Sequence, residues 1–386
     1  MQPTSLTSLP EITSLRQTLH QHPELSGQEF STAARIADFL QQYEPDNMYT
    51  GIGGTGVVAA FNGKNAEGPT VLFRAELDAL PIREKNKLPY VSIKEGIGHK
   101  CGHDGHMAIL AGLASLLHQN PLRRGKVLLL FQPAEETGTG AWDVLQDKQF
   151  QGLTPDYVFA LHNLPGVPLH KVIIKHNVFA AASTGMIVEL HGKPSHAAEP
   201  ENGLNPGAAM AELILSFQEI INRKENFLDL TLLTVIHARL GEIAFGTNPG
   251  FATVMATLRS YQPADLQLLK ELTSTAAESI ANKFNLKYEI RFVEEFPATV
   301  NNDEAVDMIE RAAQSLQLEV KEAVHPFRWS EDFGHFTHAY KGALFGLGAG
   351  IHQAQLHHAD YDFPDTLIPT GSTLFYTIAQ ELMNRK

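Results

Sequence analysis

The sequence predicts an α/β protein: a mostly parallel sheet covered by helices, with a second, α+β unit inserted into the chain. Three observations carry this reading. Four short apolar runs, Val71–Phe73, Val127–Phe131, Val158–Leu161 and Ala343–Leu347, do not alternate with polar residues. Strands buried on both faces of a parallel sheet have that pattern. Helix-period segments lie between the runs. The middle of the chain then follows a β-α-β-β-α-β order, the signature of a ferredoxin-like unit.

In chain order, Ile12, Leu15 and Leu19 recur at helical spacing until His22-Pro23 breaks the pattern. A second helix is expected over Glu29–Tyr43, and a third over Met107–His118, closed by Asn120-Pro121. From Thr184, Met186, Val188 and Leu190 alternate as in a half-buried strand. A helix over Gly207–Ile221, strands over Leu230–Leu240 and Phe251–Ser260, a helix over Ala264–Phe284 and a strand over Lys287–Glu294 complete the inserted unit. The expected division is residues 1–180 with 295–386, and 181–294 as the insertion.

Composition narrows the class. The 386 residues are enough for two or three domains of ordinary size, and 43% hydrophobic content argues for packed cores. The single Cys rules out a disulfide framework and any Cys-x-x-Cys zinc site. It also fits a reducing compartment, so a cytoplasmic protein is expected; the segment MQPTSLTSLPEITSLRQ has neither the basic nor the apolar region of a signal peptide. A net charge of −13 without a basic run argues against nucleic acid or anionic membrane as partner. No apolar stretch approaches the roughly 18 residues that span a bilayer.

The predicted strands end in groups able to do chemistry: Arg74-Ala75-Glu76-Leu77-Asp78, Gln132-Pro133-Ala134-Glu135-Glu136, His162-Asn163, and Gly348-Ala349-Gly350 with His357-His358 soon after. In open α/β sheets ligands bind at the carboxyl ends of the strands. The densest stretch is Gly98-His99-Lys100-Cys101-Gly102-His103-Asp104-Gly105-His106. A thiolate and an imidazole two residues apart suit zinc and its first-row neighbours. Cys101 can also be read as a nucleophile beside a histidine, or as an inert buried thiol. Glu135-Glu136 in an extended loop would point its carboxylates in opposite directions, one towards a metal and one towards water; the bland alternative is an exposed acidic pair. Gly51-Ile52-Gly53-Gly54-Thr55-Gly56 satisfies G-x-G-x-x-G, yet a strand rather than a helix follows, so a hairpin turn is expected and not a dinucleotide site.

At these residues the chain resembles the amidohydrolase branch of the M20 metallopeptidase superfamily, which includes N-acyl-amino-acid amidohydrolases, hippurate hydrolases and auxin-conjugate hydrolases. The segments that carry the resemblance are LHQHPELSGQE (19–29), GIGGTGVVA (51–59), FRAELDALPI (73–82), KCGHDGHMAILAGLA (100–114), FQPAEETGTGA (131–141), HNLPG (162–166), GKPSHAAEPENGLNP (192–206), SEDFGHF (330–336) and LHHADYDF (356–363). They run the length of the chain in order.

The resemblance implies a catalytic metal-binding domain, a lid or dimerisation domain for the insertion, and a homodimer formed through it. It implies two divalent ions, zinc, manganese, cobalt or nickel, with Cys101 bridging them and His103, Glu136, His162 and His357 completing the set. Glu135 would be the general base, Asp78 would orient a ligand histidine, and His196 of a partner subunit would stabilise the oxyanion. Asn248 and Arg259 would grip the substrate carboxylate. The adjacent His358 competes with His357 for its role. The reaction implied is hydrolysis of the amide bond of an N-acyl amino acid; a carboxypeptidase or dipeptidase acting on short peptides is the alternative, and a non-catalytic metal-binding scaffold a third reading. Two positions depart from the family pattern: Glu76 stands where Asp is usual, and Lys100 where Ala is usual, placing a cation beside the thiolate.

Overall fold

A computed structural model describes residues 6–384. Two compact units emerge. The first holds the described parts of Met1–Phe179 and Asp332–Lys386 together with Thr299–His325; the second is Ala180–Ala298 with Pro326–Glu331. The short return segment differs from the sequence division, which left it with the first unit. Its backbone explains the difference: Ala180 bridges Phe327, and the Ala181 N–H donates to the Phe327 and Trp329 carbonyls at 3.0 and 3.1 Å.

The first unit is built on an eight-stranded sheet in the order Asn47–Ile52, Gly56–Asn62, Arg124–Gln132, Asn65–Glu76, Tyr157–Pro165, Lys341–Gly350, Val172–Ile174 and Val320–Glu322. Arg124–Gln132, Asn65–Glu76, Tyr157–Pro165 and Lys341–Gly350 run parallel, so their carboxyl ends gather on one edge. The Gly51–Gly56 segment turns between antiparallel strands, with Ile52 opposite Gly56. Phe73, Phe131, Phe159 and Phe345 pack from the sheet against Leu110 and Leu113 of helix His103–Gln119 and Phe375 of helix Leu367–Asn384. Each such ring contributes on the order of 2–3 kcal/mol by leaving water. The two helices meet closely, since a Cβ at Gly112 would lie 2.1 Å from Ser372 Oγ. Helix His103–Gln119 is buried from His103 to Leu117, which is why it shows no polar face in the sequence.

The second unit is a four-stranded antiparallel sheet ordered Thr231–Leu240, Phe251–Ser260, Ala182–His191 and Lys287–Phe296, crossed by helices Gly207–Asn222 and Pro263–Lys283. This is the ferredoxin-like arrangement. Met186, Val188 and Leu190 alternate inward against Leu213, Phe217 and Leu269 of the helices. Thr231–Leu240 is an edge strand, and Ile236 on it and Ile243 and Phe245 just beyond are strongly exposed. Among the described residues no helix is long and apolar enough to cross a membrane.

Candidate metal centre

The parallel strands and one helix N-terminus deliver the chemistry. Helix His103–Gln119 begins at His103 because Gly102 precedes it in the left-handed conformation, φ 98°. A Cβ there would stand 2.6 Å from Asn163 Oδ1, so glycine lets Cys101 and His103 turn towards the same space. His103 Nδ1 donates to the Asp78 carbonyl at 2.9 Å, with Asp78 Oδ1 3.4 Å away. That bond leaves Nε2 facing inward, buried and without a hydrogen-bond partner. His162 is held alike, Nδ1 donating to the Asn163 carbonyl at 2.9 Å and Nε2 lying 3.4 Å from Cys101 Sγ. Such outer contacts select the tautomer that a metal ligand needs.

Glu135 and Glu136 both reach His103, one oxygen of each lying 3.9 Å from Nε2. They stand in a turn, closed by the Gly138 N–H on the Glu135 carbonyl at 2.8 Å, rather than in the extended loop that the sequence suggests. Pro133 and the left-handed Ala134, φ 50°, bend the chain as it leaves the strand. His357 Nε2 lies 3.9 Å from Glu136 Oε1, and the His357 N–H donates to the Lys100 carbonyl at 2.7 Å; the His358 N–H is used locally, on the Gln355 carbonyl.

The donor atoms of Cys101, His103 and His162 lie within 4.8 Å of one another, as do those of Cys101, Glu136 and His357, and of His103, Glu135 and Glu136. Burial, with the Glu136 charge beside it, pushes the Cys101 thiol well above its ordinary range. Burial and the neighbouring His106 pull His162 down to about 3, so it is a neutral donor at pH 7. A thiol, carboxylates and imidazoles aimed at one space, with an orphaned imidazole nitrogen among them, fit divalent cations. The set Glu189, His191 and Glu289 on the second unit does not, because Arg291 pairs with both carboxylates.

Three named residues lie in the second unit. His196 is exposed, its Nδ1 accepting the Ala198 N–H at 3.0 Å. Asn248 is buried and occupied: its amide donates to Ser195 Oγ at 3.0 Å and its carbonyl accepts from Asn205 at 2.7 Å. It pairs with Ser195 across a two-stranded ladder and so holds the turn that carries His196. Arg259 donates to the Arg328 carbonyl at 2.7 Å and to Ser330 Oγ at 2.8 Å.

Other contributors were not legible as such. Glu76, at the end of its strand, is fully buried between Arg74 and His106 Nδ1, the latter at 2.7 Å. His106 Nε2 meets Asn163 Oδ1 at 2.6 Å, and the Asn163 amide donates to the Tyr361 hydroxyl at 2.6 Å. Asp332 accepts from Arg74 at 2.7 Å and from the Ala141 N–H at 2.8 Å, while its own N–H lies 3.5 Å from Glu135 Oε1. Lys100 does not face the thiolate: its ammonium is buried on Glu84 Oε1 at 2.6 Å and the Tyr361 carbonyl at 2.8 Å. The only local signal for this shell is the clustering of polar residues in CGHDGH and SEDF.

An α/β unit with a donor cluster at the carboxyl edge of its sheet, joined in one chain to a ferredoxin-like unit, defines a class of hydrolases. The chain belongs to peptidase family M20/M25/M40, whose sequence model matches residues 72–381. It is 35% identical over 389 residues to the N-acetyl-L-cysteine deacetylase of Bacillus subtilis (strain 168), covering 99% of this chain and 91% of the relative. It is 33% identical over 371 residues to the hippurate hydrolase of Campylobacter jejuni, covering 96% of each. The crystal structure of the Bacillus subtilis YXEP protein, a dinuclear metal-binding peptidase of the M20 family, superposes with a TM-score of 0.82 at 26% identity, over 99% of this chain and 100% of that one. The protein is thus an M20-family hydrolase of the amidohydrolase group.

Proposed function

We propose that the protein hydrolyses the amide bond of N-acyl amino acids, with Glu135 as general base. The observation that carries this is the placing of two adjacent carboxylates, Glu135 and Glu136, against the one inward nitrogen of His103. Glu136 would join Cys101, His103, His162 and His357 in holding two divalent ions, zinc, manganese, cobalt or nickel. Bound there, the ions would polarise the acyl carbonyl and acidify water.

Glu135 takes a proton from the attacking water as its oxygen joins the acyl carbon, then delivers it to the nitrogen as the C–N bond breaks. Asp78 keeps the His103 ring turned inward. His196 supplies the oxyanion donor, from a partner subunit, on a turn that Asn248 steadies. With Nδ1 accepting the Ala198 N–H, its Nε2 is the donor. Arg259 receives the carboxylate of the substrate, beside Ser330. The two relatives named above act on acylated amino acids, which supports this substrate class over dipeptides. The exposed apolar side chains on and beyond the edge strand Thr231–Leu240 support a homodimer through the second unit. A cytoplasmic location accords with the unpaired Cys101.

The test is Glu135→Gln assayed on N-acetyl, N-benzoyl and dipeptide substrates. We expect metal content to hold and turnover to fall by about 10²–10⁴-fold. Near-normal turnover would reject the base, and a preference for free dipeptides would reject the substrate class.

A further inference from the structure

The segment Glu24–Glu29, within the first of the matched motifs, takes no part in the chemistry above, yet it binds both acidic loops of the site. The Ala79 N–H donates to the Glu24 carbonyl at 2.8 Å, and Leu25 bridges Ala79. Ser26 Oγ donates to Asp78 Oδ2 at 2.7 Å, the same oxygen that accepts the Glu136 N–H at 2.9 Å. Glu29 reaches furthest. Its carboxylate is fully buried and accepts the Ala134 N–H at 2.8 Å, the Gly27 N–H at 2.9 Å and the Thr55 hydroxyl at 2.8 Å.

Ala134 is a left-handed non-glycine residue immediately before Glu135, a conformation that l-alanine leaves unless something holds it. Its carbonyl is engaged as well, accepting from the Gly140 N–H at 3.1 Å and the Thr137 hydroxyl at 3.2 Å. Its N–H is the remaining handle on the turn, and Glu29 holds it. A buried carboxylate bound to an N–H at a strained residue is a rigid tether, because charge-assisted bonds in a low dielectric are strong and short.

We infer that Glu29 is a positioning residue that aims the catalytic base: by anchoring the left-handed Ala134 it sets the direction in which Glu135 projects. The inference rests on the reading of Glu135 as base. It gives the Glu24–Glu29 strap a function in turnover rather than in metal capture, since Glu29 touches none of the proposed ligands.

The experiment compares Glu29→Ala, Glu29→Gln and Glu29→Ala/Ala134→Gly. In the metal-free protein, amide hydrogen exchange at Ala134 is expected to rise by about tenfold or more in Glu29→Ala and to stay near wild type in Glu29→Gln, whose amide oxygen still accepts. In the manganese-loaded enzyme kcat should fall by about 10–100-fold in Glu29→Ala with KM within about twofold, since a misaimed group costs turnover rather than binding. Mn²⁺ affinity, measured by chelator competition, should stay within about threefold, and Glu29→Gln should recover most of kcat. Ala134→Gly in the Glu29→Ala background should restore several-fold, because glycine adopts the left-handed turn without help. Unchanged exchange at Ala134, or a loss of Mn²⁺ affinity that parallels the loss of kcat, would overturn the proposal alone. An active Glu135→Gln enzyme would overturn it together with the base. Should Glu29→Ala not fold, Thr55→Val removes one of the three donors and leaves the strap intact; kcat lower by about two- to fivefold at constant KM is expected, and no change overturns the tether.

Discussion

Arg74→Ala puts the buried charge network behind the metal centre to its hardest test. The guanidinium is buried and spends its donors on Gln132 Oε1 at 2.8 Å, Asp332 Oδ1 at 2.7 Å and Glu76 Oε1. Removing it takes the guanidinium from two buried carboxylates at once, and breaking a buried ion pair from one side costs about 3–5 kcal/mol. At about 2–4 °C per kcal/mol for a unit of this size, the metal-free protein should melt about 10 °C lower. Arg74→Lys keeps a charge but not the planar fork, so it should lose roughly half as much. The pH dependence has a definite sign. Burial alone would raise the Glu76 carboxyl, but Arg74 and His106 hold it well below its usual range. Without Arg74 the carboxyl rises and takes up a proton in the folded state, so the deficit of the variant shrinks as pH falls from 7 towards 5. Thermal and urea unfolding at several pH values give the answer. A loss below about 1 kcal/mol at pH 7, or a deficit that grows on acidification, would refute the reasoning.

Three further outcomes are expected. Burial would lower His20, but its ring N–H groups donate to the Asp104 and Glu84 carboxylates, which raises it to about 9. The stability it contributes is therefore complete below its unfolded value of about 6.5 and lost as pH rises through 9, at most about 3 kcal/mol; His20→Gln should flatten that part of the stability–pH curve, and an unaltered slope would contradict it. In Gly105→Ala the new Cβ would lie 2.2 Å from the buried Phe363 ring, which packs T-shaped with His106. Overpacking of about 1–3 kcal/mol should exceed the helix-propensity gain of about 1 kcal/mol, so chemical denaturation should show net destabilisation. Chelation of divalent ions should abolish activity, restored by Mn²⁺, Zn²⁺ or Co²⁺, and should lower the melting temperature because the ions bind the folded state alone; activity indifferent to chelator would return Cys101 to the nucleophile reading.

Much of this is legible in the sequence. Buried parallel strands show as unbroken apolar runs, and the alternation of Met186, Val188 and Leu190 marked the change to a half-exposed antiparallel sheet. Cys101, His103, Glu135 and Glu136 stood out because chemistry-bearing residues follow strands or open a helix within a few positions. The Arg74 and Gln132 partners of Asp332 and the Ala134 partner of Glu29 were not legible, since each lies far away in the chain, and Glu76 meets His106 across 30 positions. Glu29 meets Ala134 across 105 positions and Gln132 meets Asp332 across 200.

By itself the sequence determined the α/β class, the ferredoxin-like order of the insertion and the donor types, because local periodicity and residue chemistry are properties of short stretches. Only the tertiary structure decided that Lys100 turns away to Glu84, that Asn248 is spent on holding the His196 turn, and that Glu135 and Glu136 share a turn rather than an extended loop. Those outcomes depend on which buried polar groups find partners once the chain is packed. A buried group without one costs about 1–3 kcal/mol or more, so the packed interior selects rotamers and turn geometries that no short stretch encodes.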